Sequence, residues 1–453
     1  MRGKLIFVFV LILFLASRLY KIAEIPASVY WDEASIGYNA FSIATDLKDE
    51  WGETLPLHFR AFGEFKLPVY IYSVALFVKA IGLNEYAVRL PAVFYSLGTL
   101  AIVYLLTKKI TGKKWVSILA SFILTLSPWF FIFSRTGYEA TAGLFFFLLG
   151  TYLFLLADKS KYYLLAAAVG FIASFYSYNS FRIIIPIWLI PLFTYRYRDL
   201  VKLKNEWILI FVSGLIFVSS LIPVYRLYKF DAGGARFAQV EVSGKLAFVK
   251  NYFSHFDPKF LFINGDSNPR SQIPGHGQLY WFEIPLIIAG LIAIFKSKKA
   301  IYYLPLITLL IAPIPAALTK ESPHALRSLL AAPSFAIIAA FGVIFLRENF
   351  RKISGVILFV VLTAYYLSFE LYMTDFITKY SKETASDWQY QYKEIFLHQK
   401  SGIVTDKYAQ PYIFALYYLK YPPEKFRSEV KLNPVNDWGF STVKSFNGFQ
   451  FIK

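Results

Sequence analysis

Apolar runs recur along this chain from residue 5 to residue 372, too many and too closely spaced to be divided among soluble domains. They lie at 5–15 and near 90–107, 115–134, 141–157, 162–178, 183–195, 207–228, 280–295, 301–318, 329–346 and 353–372. A straight helical crossing takes about 20 residues, so several runs are short. Their number still dictates a mostly α, polytopic transmembrane bundle of about eleven spans. Composition adds that 57% of the residues are hydrophobic and only 17% charged, too few to clothe a soluble protein of 453 residues. The run after Arg2 and Lys4 has the outline of a signal peptide. Ala16-Ser17-Arg18-Leu19-Tyr20 is a poor cleavage site, however, so the run is expected to be the first span.

A formal net charge of +18 invites a nucleic-acid reading until the charges are located. With 68–83 left out of the spans, loops 1–4, 108–114, 158–161, 196–206, 296–299 and 347–352 fall on one side. They hold 18 basic residues against the four acids Asp158, Asp199, Glu206 and Glu348. Positive residues stay cytoplasmic, so the surplus is an orientation signal and no nucleic-acid partner is expected. The chain is then a multi-pass cell-membrane protein with its N-terminus in the cytoplasm and its C-terminus outside. Residues 21–89 form a first outer loop and 229–279 a second, with 319–328 and 373–453 also outside. Segment 68–83, carrying Tyr70, Tyr72 and Lys79, becomes an amphipathic helix at the headgroup boundary.

Two regions follow: a membrane domain over 1–372 and a small α/β or mixed outer segment over 373–453. The latter is expected to hold a helix at 383–398, a strand at Ile403-Val404-Thr405 and a helix at 409–420 that Tyr421-Pro422-Pro423 stops. No cysteine is present, which removes disulfides, thiolate metal sites and a cysteine nucleophile. No fixed-period repeat is found.

The first outer loop is where chemistry is expected. Between Glu24 and Lys66 lie Asp32, Glu33, Asp46, Asp49, Glu50, Glu53 and Glu64 against Lys48, Arg60 and Lys66, the sign opposite to that of the cytoplasmic loops. Asp32-Glu33 sits where a helix starts after Pro26, so Asp32 is either a plain N-cap or a carboxylate poised to take a proton from a hydroxyl. Tyr30, Trp31 and Tyr38 around it, and the second acid in Phe62-Gly63-Glu64-Phe65-Lys66-Leu67-Pro68, favour the second reading.

An Asp-Glu pair in a first outer loop, a Glu-x-Lys-x-Pro-x-Tyr stretch at 64–70 and Arg89-Leu90-Pro91-Ala92 opening the next span together resemble the glycosyltransferase C superfamily. The nearest branch is that of the protein O-mannosyltransferases and aminoarabinose-lipid A transferases. The resemblance covers the first 160 residues and continues as a pattern of spans and loops to about 346. It implies inverting transfer of a sugar from a polyprenyl-phosphate carrier to a protein, lipid or glycan acceptor at the outer face. It also implies Asp32 as base or site organiser, with Glu64 and Lys66 as site residues. Glu33 competes with Asp32 as the base. A Phe separates Glu64 from Lys66, where some relatives place acid and base side by side.

Displacement at an anomeric carbon needs a carboxylate for the acceptor proton and cations for the departing phosphate. Candidate donor-phosphate ligands at the outer ends of spans are Arg135, His324 and Arg327, besides Lys66. Asp266, Arg270 and His276 mark a Gly-rich loop at 264–277 expected to cover the site. Glu139 is expected to pair with Arg135 structurally. Five histidines without a His-x-x-x-His pair argue against zinc, and no cofactor is certain. A divalent cation, Mg or Mn, at Asp32 is left open. Two rival readings are a transporter or flippase of lipid-linked sugars and a receptor or scaffold. The first would place charges near the midplane; the second does not account for the acidic loop.

Overall fold

The computed structural model describes residues 2–160, 162–202, 207–242, 244–436 and 439–452. Helix α1 (Arg2–Leu19) leads into the first loop, where α2 (Trp31–Asp46), a hairpin of β1 (Phe59–Arg60) with β2 (Phe65–Lys66) and α3 (Pro68–Ile81) follow. The bundle continues with α4 (Glu85–Thr111), α5 (Lys114–Leu126), α6 (Pro128–Phe133), α7 (Ala140–Leu155), α8 (Tyr162–Phe175), α9 (Asn179–Lys202), α10 (Trp207–Ser219) and α11 (Ile222–Phe230). Short α12 (Ala235–Val240) and α13 (Lys245–Ser254) occupy the second loop. After it come α14 (Glu283–Lys296), α15 (Leu304–Ile311), α16 (Ile314–Ala317), α17 (Ala331–Asn349) and α18 (Ser354–Asp375).

Among the described residues, five helical stretches are long and apolar enough to cross a membrane: Glu85–Thr111, Ile208–Phe230, Ala300–Ala317, Ala331–Asn349 and Arg351–Glu383. Four shorter apolar helices, Pro68–Ile81, Lys114–Leu126, Ala140–Leu155 and Tyr162–Phe175, lie among them. Proline accounts for several of the breaks. The run 115–134 divides at Pro128 and the run 301–318 at Pro313, because proline has no N–H for the helix and its ring crowds the preceding turn. Helix α4, by contrast, is closed at both ends. Asn84 accepts from the Ala87 N–H, and Gly112 takes the left-handed φ of 72° that ends it. Helices α14 and α17 touch backbone to backbone. A Cβ on Gly342 would stand 1.8 Å from the Leu286 carbonyl oxygen, and one on Gly290 2.0 Å from that of Ile338. Small residues permit such contact where lipid offers no hydrophobic drive to association.

Segment 68–83 does form a helix, α3, which packs on α2 and α4 and hydrogen-bonds through Tyr70 Oη to the Val88 carbonyl at 2.9 Å. The tail departs from the expected description. Its helices are α19 (Ser381–Glu383), α20 (Tyr390–His398), α21 (Pro411–Tyr418) and α22 (Pro423–Glu429). The single expected strand is one of four, in the order β3 (Gly402–Thr405), β6 (Phe449–Ile452), β5 (Val443–Phe446), β4 (Lys431–Leu432). Neighbours β3 and β6 run parallel and the others antiparallel. Nor does the tail hold a core of its own. One hydrophobic cluster joins Ile36, Tyr38, Tyr70, Ile71 and Val88 of the first loop and α4 to Tyr412, Phe414, Tyr417, Phe426 and Phe446 of the tail. A separate cluster fills the bundle.

Candidate functional site

Helix α2 starts after Tyr30, whose backbone is extended, and carries Asp32 and Glu33 in its first turn. Consecutive helical side chains point about 100° apart, and that angle separates the two carboxylates. Glu33 turns inward, is fully buried and meets Arg89 through two parallel bonds, Nε to Oε1 and Nη2 to Oε2, both 3.0 Å. It also accepts the Gly137 N–H at 2.6 Å, while Arg89 spends its other donors on the Ile22, Pro26 and Ser28 carbonyls. A carboxylate so enclosed has no face for an acceptor, which removes Glu33 as a competing base. It pins the first loop to α4 instead.

Asp32 faces a cavity of about 590 Å³. The Asp32 side chain is no N-cap; Oδ1 takes a bond from Lys66 Nζ at 2.5 Å, and Glu64 Oε1 takes a second at 3.1 Å. The hairpin explains the convergence. Register pairs Phe59 with Lys66 and Arg60 with Phe65, and Glu64 stands in the turn just before β2. The turn of the hairpin thus brings acid and base together although a Phe intervenes. Burial opposes the charge on Lys66, but the Asp32 and Glu64 carboxylates outweigh it and push the ammonium above its ordinary value.

Glu139, just before α7, lines the same cavity and is the acid that sequence reasoning missed. Its Oε1 is buried without a hydrogen-bond partner. Burial pushes the carboxyl up to about 7, with Lys66 pulling the other way. The expected pairing with Arg135 is absent. The Arg135 guanidinium is fully buried and bonds to the carbonyls of Ser17, Tyr20, Lys21 and Ile25, stacking on Phe376 at 4.3 Å. It holds the end of α1 and cannot serve the donor phosphate.

The expected phosphate ligands Arg327 and His324 and the loop residue Arg270 all line the cavity, with burial and then Arg327 holding the His324 imidazole well below its ordinary value. Arg327 bonds to Thr319 Oγ1 at 2.7 Å and Glu321 Oε2 at 3.3 Å. Arg270 lies over the rings of Tyr30 and Trp31 and donates to the Asp387 carbonyl at 3.1 Å. Asp266 stands behind this wall, buried, accepting the Asn268 and Ala325 N–H groups at 2.9 and 2.6 Å, 3.7 Å from His324 Nδ1. Burial raises its pKa. It shapes the loop and does not face the cavity. His276 lies outside the lining and pairs with Asp375 at 2.9 Å.

Two further cations complete the site. Arg236 stands 3.9 Å from Glu64 Oε2, and Arg182, in the first turn of α9, touches His58 Nε2 at 3.1 Å. Arg182 carried the same signal as Arg135, an arginine at the outer end of a span, and went unread. A divalent ion at Asp32 does not fit. Between Asp32 and Glu64 the Lys66 ammonium already supplies the positive charge, and among the described residues no three His, Asp or Glu side chains are placed to share an ion.

Residues 66–225 match a family model described as dolichyl-phosphate-mannose-protein mannosyltransferase. No curated protein matches the sequence. Among solved structures, ArnT from Cupriavidus metallidurans bound to undecaprenyl phosphate matches with a TM-score of 0.59 at 11% identity, over 92% of this chain and 84% of its own. The oligosaccharyltransferase AglB from Archaeoglobus fulgidus, in complex with an inhibitory peptide and a dolichol-phosphate, matches at 0.58 and 15% identity, over 92% of this chain and 64% of its own. A crystal structure of the Archaeoglobus fulgidus oligosaccharyltransferase in complex with Zn and sulfate gives 0.57 and 15%, with 91% and 61% covered. The chain thus spans less than two thirds of the archaeal enzyme's length. This chain shares the fold of ArnT and AglB.

Proposed function

We propose that this chain is an integral-membrane inverting glycosyltransferase that moves a sugar from a polyprenyl-phosphate carrier to an acceptor at the outer face. The observation that carries the reading is one cavity that gathers Asp32, Glu64 and Lys66 with Arg327, Arg236 and Arg182. Such a site offers a proton acceptor and a phosphate cradle within one reaction volume. The match of residues 66–225 to a lipid-phosphate mannosyltransferase family and the shared fold support it.

In this reading Asp32 takes the proton of the acceptor hydroxyl as its oxygen attacks the anomeric carbon from the face opposite the phosphate. The bond from that carbon to the phosphate oxygen breaks with both electrons going to the phosphate. Arg327 and His324, with Arg236 and Arg182, hold the departing charge, since fixed donors need no reorganisation as it develops. Lys66 orients Asp32 and Glu64. The orientation with the N-terminus in the cytoplasm and the tail outside belongs to the same proposal and rests on the basic loops. The decisive experiment is Asp32→Asn, which keeps shape and removes the proton-accepting charge. Turnover should fall about 10²–10⁴-fold while polyprenyl-phosphate still binds. Near-normal transfer by that variant would move the base elsewhere.

A further inference from the structure

Three non-glycine residues with left-handed backbone gather where the tail meets the start of α2: Gln389 (φ 54°), Ala409 (φ 63°) and Gln410 (φ 57°). L side chains rarely adopt this region, and they persist there when surrounding contacts over-determine it. The contacts are explicit. Gln389 is 3% exposed; its Oε1 accepts the Trp31 N–H at 2.9 Å, and its Nε2 donates to the Tyr408 carbonyl and, at 3.0 Å, to that of Ala409. The Gln410 N–H bonds to Asp406 Oδ1 at 2.7 Å. Tyr30 offers α2 no side-chain cap, so the free N–H beside Asp32 is satisfied from 358 residues away. One glutamine therefore fixes both the helix that carries Asp32 and the loop that faces it.

The cavity takes in that loop through Ala409 and Gln410. On the side of the span ends it is lined by Leu227, Tyr228, Phe237 and Val240, apolar chemistry suited to the lipid of a carrier. Beside the loop the ring of Trp31 stands 6.5 Å from that of Phe62, and Phe62 6.0 Å from that of Tyr412, two residues past Gln410, whose carboxamide completes this part of the lining. A lipid-linked donor arrives from the bilayer, which leaves the tail's loop, outside the spans, to the second substrate. Flat rings cover the C–H faces of a sugar, and carboxamides both give and accept hydrogen bonds as neighbouring hydroxyls require.

We propose that the 406–410 loop is the acceptor-binding wall, that Gln410 is its contact residue, and that the acceptor presents a saccharide there. The proposal rests on the glycosyltransferase reading above. To test it, the full chain is made in its own source cells with the photoreactive residue p-benzoylphenylalanine at position 410, at 403 or at 237, and intact membranes are irradiated. Ile403 is 66% exposed and lies outside the lining, so it reports background. Position 410 should yield saccharide adducts about tenfold above position 403, and position 237 a polyprenyl-phosphate adduct. Peptide adducts at 410, or no excess over 403, would overturn the proposal. Absence of the lipid adduct at 237 would instead overturn the glycosyltransferase reading and this proposal with it. The milder Gln410→Ala should raise KM for the captured saccharide about 3–10-fold, the loss of one hydrogen bond, with kcat unchanged. An unchanged KM would also overturn it.

Discussion

Asp32 and Glu33 are neighbours in sequence and opposites in surroundings. Glu33 sits in a dry corner where Arg89 and a backbone N–H satisfy it and the guanidinium is itself fully spent. Asp32 stands a quarter exposed at the edge of a cavity, with one bond from Lys66 and room beside it. The first arrangement suits fixing a loop and the second suits reacting, since a group enclosed by permanent partners has nothing left for a substrate. Composition around an acidic pair therefore says little about which member faces the cavity; the turn of the helix decides.

The sharpest way to break this contrast is to exchange the two losses. Against Asp32→Asn, which should lose turnover and keep its thermal midpoint, Glu33→Gln should lose stability and keep most of its kcat per folded molecule. Breaking a buried ion pair costs about 3–5 kcal/mol, readable in thermal unfolding of the detergent-solubilised protein. A Glu33 variant that unfolds normally but cannot turn over would reverse the assignment.

Glu139 extends the comparison to a third acid, buried like Glu33 but without an arginine. Because burial raises its pKa to about 7, the folded protein binds its proton more tightly than the unfolded chain does. Stability should therefore fall as pH rises from about 4.5 to about 7 and level off above. Glu139→Gln should flatten that part of the stability profile, and an unchanged slope would place the titration on another group. A smaller effect is expected at Arg327, whose planar donors lysine cannot copy. Arg327→Lys should raise KM for the lipid-phosphate donor about tenfold with little change in fold. Smallest of all is His276→Ala. It removes a partly exposed pair with Asp375, worth at most about 1 kcal/mol, and should leave donor and acceptor KM where they were.

Much of the site was legible because its residues sit close in sequence to strong local signals. Asp32 follows a helix start, Glu64 and Lys66 precede a proline-initiated helix, and His324 and Arg327 share one short outer loop. What escaped depends on distance. Glu139 and Arg135 are four residues apart, an obvious pair on paper, yet the turn between α6 and α7 sends one to the cavity and the other under α1. No local pattern shows that the Arg135 guanidinium is consumed by carbonyls more than a hundred residues away. The tail's sheet is a different failure. Asn447-Gly448 between Val443–Phe446 and Phe449–Ile452 is a strong hairpin signal, with both residues at positive φ. It was overlooked beside the louder helices. The breaks at Pro128 and Pro313 were readable from the prolines, whereas the continuation of α9 through Pro186 and Pro191 to Lys202 was not.

The core shared by the first loop and the tail also sets a schedule. Tyr38 Oη bonds to the carbonyl of Tyr421, 383 residues later, and the ring of Tyr417 lies against Gly37. A ribosome adding about 5–20 residues per second needs roughly 20 to 80 s to cover that interval. Throughout it, α2 has emerged with one apolar side uncovered, and most of the membrane helices must be inserted before its partner exists. Chains cut short anywhere before α21 would leave that side bare, a ready mark for the proteases that clear unfinished membrane proteins.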